Sequence, residues 1–213
     1  MVICDWISNN FIEIFGTVTG IIYVFLEIRQ TIWLWPVGII TSAVYIWVFF
    51  TSKFYADMSL QAYYLVISIL GWYWWAKGTG HRAQSSGQEE EGMGSRGDEE
   101  KKELQVTRLK LRTGIILAIV FVMLYIVMWF VLTRLTDSPV PVRDSFITSL
   151  SIVATWMLAR KIFEHWYLWI VVNFVSAVLF LTRGLYPTVI LYVVYGLMSF
   201  AGLAAWKKSI SAN

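Results

Sequence analysis

Two tryptophans and an asparagine lie on one face of a predicted helix in the last quarter of the chain. Trp166, Trp169 and Asn173 stand at positions i, i+3 and i+7, which share a helix face. At about 1.5 Å of rise per residue, Asn173 lies about 10 Å further along than Trp166. Because an amide that faces lipid is costly, Asn173 should face a bundle interior or a water-filled path. A hydrogen bond between helices and a contact with a bound molecule both remain open.

Two further rows of polar and aromatic side chains follow helical spacing. The first row is Asp57, Gln61, Tyr64 and Ser68. The second row is Thr188, Tyr192, Tyr195 and Ser199. Hydrogen bonds between packed helices would explain one such row, but two rows together with Asn173 favour a polar passage between helices.

The residue types in these rows indicate what such a passage could hold. Tryptophan and tyrosine rings attract flat cations by about 0.5–2 kcal/mol, while amides and phenols bind hydroxyl and carboxamide groups. A bare inorganic ion is disfavoured, because no carboxylate pair or carbonyl filter is visible in mid-segment. The same regions hold no His, Asp or Glu, so no proton relay is predicted. These residue types allow a flat heteroaromatic ligand that carries hydroxyl groups, and they leave open whether it is cationic or neutral.

The composition shows which elements must position these residues. The chain has 213 residues, of which 58% are hydrophobic and only 15% charged, whereas a soluble domain usually has about 25% charged residues. This balance indicates an integral membrane protein rather than a soluble enzyme. The single Cys4 excludes an internal disulfide, and His81 and His165 lack metal-ligand spacing. No metal, cofactor or nucleic-acid partner is predicted.

Seven apolar segments are long enough, or nearly so, to be membrane-spanning helices. Their predicted limits are 11–28, 31–52, 58–76, 113–133, 145–159, 166–182 and 184–206. The segments do not alternate between apolar and polar residues, which disfavours a barrel. The predicted fold class is therefore an all-α integral membrane protein with seven transmembrane helices.

Basic residues are distributed unevenly between the loops on the two predicted sides. Four lie on the side of the N-terminus and 13 on the other, out of 17 in total. This bias predicts an outward N-terminus and a cytoplasmic C-terminus. Residues 78–110, rich in glycine and acidic residues, are predicted to be a flexible cytoplasmic linker, with a regulatory or partner-binding segment as the alternative.

An internal repeat relates the two ends of the chain. Trp35 aligns with Trp169 at an offset of 134, and after a three-residue shift Gly71 aligns with Gly202. In this alignment Ile39 is the counterpart of Asn173, and Trp35 becomes a candidate site residue. The prediction is a 3+1+3 arrangement of two parallel three-helix repeats, with residues 1–77 and 143–208 as repeats and helix 111–134 between them.

The segments WLWPVGIITSAVYIWVFF, KFYADMSLQAYYLVISILGWYWW and WYLWIVVNFVSAVLF resemble the PnuC family of bacterial vitamin transporters. The resemblance implies a fold related to SWEET-type sugar transporters and a place in the bacterial inner membrane. It also implies uptake of nicotinamide riboside by facilitated diffusion, with trapping by a cytoplasmic kinase. Thiamine is the alternative substrate, and relatives of this fold also carry riboflavin.

The same resemblance assigns substrate contacts. It implies that Trp166, Trp169 and Asn173 bind the substrate, with Gln61 and Tyr64 opposite them. The repeat adds Tyr192, Tyr195 and Trp35 as further substrate-binding candidates. The protein is expected not to be an enzyme. Its predicted partners are a small vitamin, membrane lipid and further copies of itself, with a trimer as a candidate assembly.

Overall fold

A computed structural model describes residues 11–51, 55–77, 104–134 and 140–211, without the side chains of Phe11–Glu13 and Tyr55–Asp57. Residues 78–103 of the predicted linker 78–110 lie outside the described residues, as do Cys4 and His81. The described residues form seven α-helices, in agreement with the predicted all-α class. The helices are α1 (Phe11–Ile28), α2 (Leu34–Thr51), α3 (Tyr55–Lys77), α4 (Leu111–Arg134), α5 (Pro141–Ala159), α6 (His165–Thr182) and α7 (Tyr186–Ser211).

Four of the helices, α2, α4, α6 and α7, are long and apolar enough to cross a membrane. Helix α1 contains a shorter apolar stretch, Ile14–Ile28. Helix α4 has no buried residue although it is strongly apolar, as expected of a helix that faces lipid along most of its surface. It packs against α5, where the Phe121 and Phe146 rings meet edge to face at 5.7 Å.

The two ends of the chain share one helix frame. Helix α2 begins at Leu34 and α6 at His165, 131 residues later, and the same step separates their last residues, Thr51 and Thr182. Helices α3 and α7 also begin 131 residues apart, at positions 55 and 186. We call helices α1–α3 the first half and α5–α7 the second half.

The turns that precede α2 and α6 are also alike. After α1, the Gln30 N–H donates to the Glu27 carbonyl and the Thr31 N–H to the Leu26 carbonyl, and the matching bonds recur 131 residues later at Lys161 and Ile162. This is the hydrogen-bond pattern of a Schellman motif, which needs a left-handed residue. Gln30 has φ 54° and Lys161 has φ 49°, so both halves place a non-glycine residue there.

This frame corrects the predicted alignment of α2 with α6. One constant step of 131 relates the halves, so the predicted three-residue shift does not occur. Trp35 is therefore equivalent to Trp166 rather than Trp169, and Ser42 rather than Ile39 is the counterpart of Asn173. The prediction failed because shared apolar residues in two membrane helices align almost equally well in several registers.

A cluster of four tryptophans joins the halves. Trp35 packs edge to face on Trp75 at 5.4 Å, and Trp166 packs on Trp206 at 5.8 Å. In each pair, the first tryptophan packs directly on a glycine of the helix that carries the second. A Cβ atom on Gly71 in α3 would overlap the Trp35 ring, and one on Gly202 in α7 would overlap the Trp166 ring. We call these four tryptophans, together with Leu34, Leu158, Ala159, Phe163 and Ile67, the aromatic cluster.

Two indoles of this cluster bind helix ends of the opposite half. The Trp75 indole in α3 donates to the Ala159 carbonyl at 3.2 Å, and the Trp206 indole in α7 donates to the Glu27 carbonyl at 3.1 Å. The last carbonyls of a helix lack partners within it, so the Trp75 indole satisfies the Ala159 carbonyl at the end of α5. The Glu27 carbonyl, which also accepts from the Gln30 N–H, gains a second donor. Helix α3 accordingly packs against α5, and α7 packs against α1.

Residues 104–110 form a strap along the turn between α5 and α6. The Thr107 N–H donates to the Lys161 carbonyl and the Phe163 N–H donates to the Thr107 carbonyl, both at 2.9 Å. The Leu109 N–H donates to a carboxylate oxygen of Glu164 at 2.8 Å. This last part of the predicted linker 78–110 therefore has defined partners, in contrast to the flexible segment that was predicted there.

Candidate functional site

A cavity of about 440 Å³ lies between the two halves. Its wall contains residues from every helix except α4. The aromatic cluster lies at one end of the cavity, since Trp166 belongs to both. The volume falls within the range of about 300–1,000 Å³ that is typical of small-molecule sites.

Seven of the eight residues predicted to bind substrate line this cavity. They are Gln61, Tyr64, Trp166, Trp169, Asn173, Tyr192 and Tyr195. They come from α3, α6 and α7, so one cavity brings together all three predicted rows of side chains. Of the first row, Ser68 also lines the wall, whereas the Asp57 side chain lies outside the described residues.

Trp35 is not part of the cavity wall, and its prediction as a site residue is not retained. Its side chain is fully buried against Trp75 and Gly71 within the aromatic cluster. The misaligned repeat caused this error, because it paired Trp35 with Trp169. The true counterpart of Trp169 is Gly38, where an added Cβ would crowd the Ser68 hydroxyl and the Tyr23 ring.

The hydrogen bonds around Asn173 fix the orientation of its amide. The Ser199 hydroxyl donates to the Tyr195 carbonyl at 2.8 Å, so its oxygen is free to accept from the Asn173 amide nitrogen at 3.1 Å. A carbonyl can only accept, which determines the direction of the chain from Asn173 through Ser199 to Tyr195. The amide oxygen and the second N–H of Asn173 remain for a ligand that offers both a donor and an acceptor.

Aromatic side chains form much of the wall on the α7 side. The Tyr192 ring stacks on Phe180 at 5.3 Å and meets the Tyr195 ring edge to face at 6.0 Å. The Tyr195 hydroxyl lies where a Cβ atom on Gly20 would be, so only glycine lets α1 approach α7 this closely. A flat ligand can therefore contact several ring faces and edges.

A buried carboxylate in the wall was missed by the sequence analysis. Glu27 lines the cavity and is 2% exposed, and its Oε1 atom lies 3.0 Å from Nε2 of the fully buried His165. The two residues are 138 positions apart, so no local pattern could reveal their contact. The available signal was a glutamate at the end of one apolar segment and a histidine at the start of another. Either side chain could have been buried inside the bundle rather than exposed to water.

The site therefore combines three kinds of group. Ring faces can hold a flat ligand, the Asn173 amide can bind a carboxamide or hydroxyl group, and the Glu27 carboxylate can balance a positive charge. Such a low-polarity cavity with a few placed polar groups is typical of a site for a small organic molecule.

Comparison with known proteins gives one matching family and several relatives. The family model described as "Nicotinamide mononucleotide transporter" matches residues 10–208. The nicotinamide riboside transporter PnuC of Escherichia coli is 27% identical over 94% of this chain and 86% of its own length. The riboflavin/roseoflavin transporter RibM of Streptomyces davaonensis is 25% identical, over 91% of this chain and 83% of its own.

A solved structure is similar as well. The crystal structure of a vitamin B3 transporter PnuC superposes with a TM-score of 0.71, at 24% sequence identity. The alignment covers 99% of this chain and 86% of that one. The described helices thus have the arrangement of a known membrane transporter fold.

Proposed function

Because the chain belongs to the nicotinamide mononucleotide transporter family, we propose that it carries nicotinamide riboside across a bacterial inner membrane through the cavity between its halves. The observation that carries this proposal is the gathering of seven predicted contact residues around one cavity. The relatives named nicotinamide riboside transporters, at 26% and 27% identity, support the choice of substrate.

The chemistry of nicotinamide riboside suits these groups. Its pyridinium ring is a flat cation, which the rings of Trp166, Trp169 and Tyr192 would attract. Its carboxamide offers a donor and an acceptor, which matches the two free positions on the Asn173 amide. We assign the ribose hydroxyl groups to Gln61 and the tyrosine hydroxyls of the wall.

The transmembrane arrangement that we propose is 3+1+3, with seven crossings. The constant 131-residue step between the halves and the reciprocal packing of α1 on α7 and α3 on α5 support two equivalent units. Two units of three crossings run parallel only if one further crossing lies between them, which assigns α4 as the connection. This plan is the one found in SWEET-type transporters, with the N-terminus outside and the C-terminus in the cytoplasm.

The mechanism would be alternating access by rocking of the two halves. The aromatic cluster closes one end of the cavity, and the loops at that end carry most of the basic residues, which favours the cytoplasmic side. Release to the cytoplasm then requires the tryptophan pairs of the two halves to separate.

We propose that movement follows the riboside gradient and that a cytoplasmic kinase traps the product. We also propose a homo-oligomer, with a trimer as the first assembly to test.

Thiamine is the second candidate, because it too is a flat cation. Riboflavin, which a relative transports according to its name, is neutral and offers no charge to the Glu27 carboxylate. Calorimetric titration of the purified protein with the three vitamins, followed by uptake into liposomes, separates these candidates. We expect nicotinamide riboside to bind tightest and to accumulate only to equal concentrations inside and outside.

Asn173→Leu provides the site control. It should weaken riboside binding while the purified protein keeps its melting temperature within a few degrees. Strong thiamine binding without riboside binding would overturn the substrate assignment, and unchanged riboside binding by the variant would overturn the site.

A further inference from the structure

The Glu27–His165 pair connects α1 of the first half to the first residue of α6. The His165 Nδ1 atom lies 2.7 Å from the Ile162 carbonyl, and its Nε2 atom lies 3.0 Å from Oε1 of Glu27. The Glu27 backbone carbonyl also accepts the Trp206 indole N–H. Only Glu27 of the pair lines the cavity, while His165 lies behind it between the Trp166 and Trp206 rings.

Counting hydrogens shows that this pair holds one exchangeable proton. The Ile162 carbonyl can only accept, so Nδ1 of His165 must carry a hydrogen. The 3.0 Å contact between Nε2 and Oε1 then also needs a hydrogen, because two lone pairs would otherwise face each other. With that proton the pair is neutral, whether the proton lies on the imidazole or on the carboxylate, and without it the pair carries one negative charge.

The equivalent pair of positions between the halves shows that the packing does not require ionisable residues. The positions equivalent to Glu27 and His165 are Leu158 and Leu34, and both leucines are fully buried in the aromatic cluster. The same helix frame therefore accepts two leucines at one interface and a carboxylate with an imidazole at the other. Burying ionisable groups is costly compared with burying leucine, so the polar pair calls for a functional reason.

We propose that the Glu27–His165 pair is a proton site that selects for positively charged ligands, with the ligand cation replacing the proton. This inference rests on the proposed function and adds the basis of its charge selectivity. When the cation enters the cavity, the proton of the pair leaves to the water at the open end, and the pair takes up a proton again when the cation departs on the other side. At equal pH on the two sides this exchange leaves the riboside gradient as the driving force for net movement. The Glu27 carboxylate then balances the fixed charge of the ligand, and the charge inside the cavity stays at zero.

Among the titratable residues in the cavity wall, Glu27 is the one that can supply a negative charge to balance the ligand cation. Those in the cavity wall are tyrosines: Tyr23 in α1, Tyr45 in α2, Tyr64 in α3, and Tyr192 and Tyr195 in α7. Tyrosine hydroxyls are neutral near pH 7. In the adjoining turns, Arg29 lies over Phe25, Arg160 over Trp74 and Lys161 over Trp75.

The same proton also links ligand binding to the closed end of the cavity. It forms the hydrogen bond that connects Glu27 in α1 with His165 in α6, beside the aromatic cluster. Once the cation has replaced the proton, this bond between the halves is lost. Binding therefore weakens one of the contacts that must break before the closed end can open.

Calorimetry counts the protons directly. The purified protein is titrated with nicotinamide riboside at about pH 7 in two buffers that differ in their heat of ionisation. The reduced 1,4-dihydro riboside, which has the same shape but no charge, is titrated in parallel. We expect up to one proton to be released per bound cation and none per bound neutral analogue. Riboside affinity should accordingly fall by up to about tenfold for each pH unit of acidification.

Two variants keep the test independent of folding. Glu27→Gln preserves a hydrogen bond, because the Gln amide can donate to Nε2 of His165. The amide does not ionise, so the variant has no proton to release from this bond when the cation binds. The double variant Glu27→Leu with His165→Leu copies the packing of Leu158 and Leu34 at the equivalent interface. Both should bind the cation without releasing a proton and without the pH dependence of the parent.

The outcomes separate this proposal from the proposed function. Riboside binding without proton release, or with equal release by Glu27→Gln, would overturn the proton site and leave the transporter assignment intact. If the riboside does not bind, the substrate assignment fails, and the same titration with thiamine tests the proton site. Binding of riboflavin alone would overturn both, because that ligand is neutral.

Discussion

Replacing Trp166 and Trp35 separately by Phe tests whether the cavity, rather than the aromatic packing, binds the ligand. The two tryptophans occupy equivalent positions, are 1% and 0% exposed, and pack edge to face on a second tryptophan. Each also closes over a glycine. Only Trp166 lines the cavity. Trp35→Phe is therefore a control with the same change in a nearly identical setting.

The expected magnitudes follow from these surroundings. Each variant loses an indole from an edge-to-face pair and leaves a small void, which should cost about 1–3 kcal/mol of folding free energy in both cases. Both also remove an indole N–H that is buried without an acceptor among the described residues, so this contribution is similar in the two variants. Only Trp166→Phe removes ring surface from the ligand, worth about 0.5–2 kcal/mol of binding free energy.

Trp166→Phe should thus raise the Kd for nicotinamide riboside by about 2- to 30-fold, and Trp35→Phe by less than about twofold. Calorimetric titration at fixed pH and salt gives the Kd, and thermal unfolding in the same detergent gives the loss of stability. Equal weakening by both variants would refute the reasoning, since the effect would then come from packing. An unchanged Kd for Trp166→Phe would remove that residue from the site.

Three further substitutions test the site and the shared frame. Asn173→Ser introduces the residue found at the equivalent position, Ser42. The variant should fold normally but weaken riboside binding by about 5- to 100-fold, because two hydrogen bonds to the ligand are lost. An unchanged Kd by titration would contradict the assignment of the amide. Gly202→Ala should lower folding stability by about 1–3 kcal/mol, because its methyl group would overlap the Trp166 ring; a melting temperature equal to the parent's would argue against that contact. Gln30→Gly should raise stability by about 1 kcal/mol, because glycine adopts φ 54° without steric cost, and chemical unfolding would reveal the absence of any such gain.

The positions of the helices could be predicted from the sequence because one strong signal governs them. A stretch without charges that is long enough to cross a bilayer limits a helix at both ends. The first predicted segment, 11–28, coincides with α1, and the predicted limits 166–182 differ from α6 by one residue. The three rows of cavity side chains followed for the same reason, since helical spacing fixes which residues share a face once the helix is known.

Relations between distant segments could not be read in the same way. The correct alignment of α2 with α6 depends on which tryptophan packs on which glycine. The sequence does not reveal this packing, because most of the aligned residues are interchangeable apolar ones. The contact of Glu27 with His165 depends on how the two halves are arranged around the cavity. The strap at 104–110 did carry a local signal, the alternation of Leu104 and Val106 with the polar residues Gln105 and Thr107.

The differences between the halves matter for function because the frame around them is the same. The equivalent pairs, with the first-half residue named first, are Gly38 and Trp169, Ser42 and Asn173, Leu34 and His165, and Glu27 and Leu158. The proposed rocking would need the halves to exchange equivalent contacts, and the common turns and tryptophan pairs are suited to this. A ligand with a charged ring at one end and hydroxyl groups at the other needs an asymmetric wall. Trp169, Asn173 and Glu27 provide it, with His165 behind Glu27. A symmetric frame and an asymmetric cavity would therefore serve different steps of one transport cycle. Substitutions that make the last three pairs alike should abolish ligand selectivity before they affect folding.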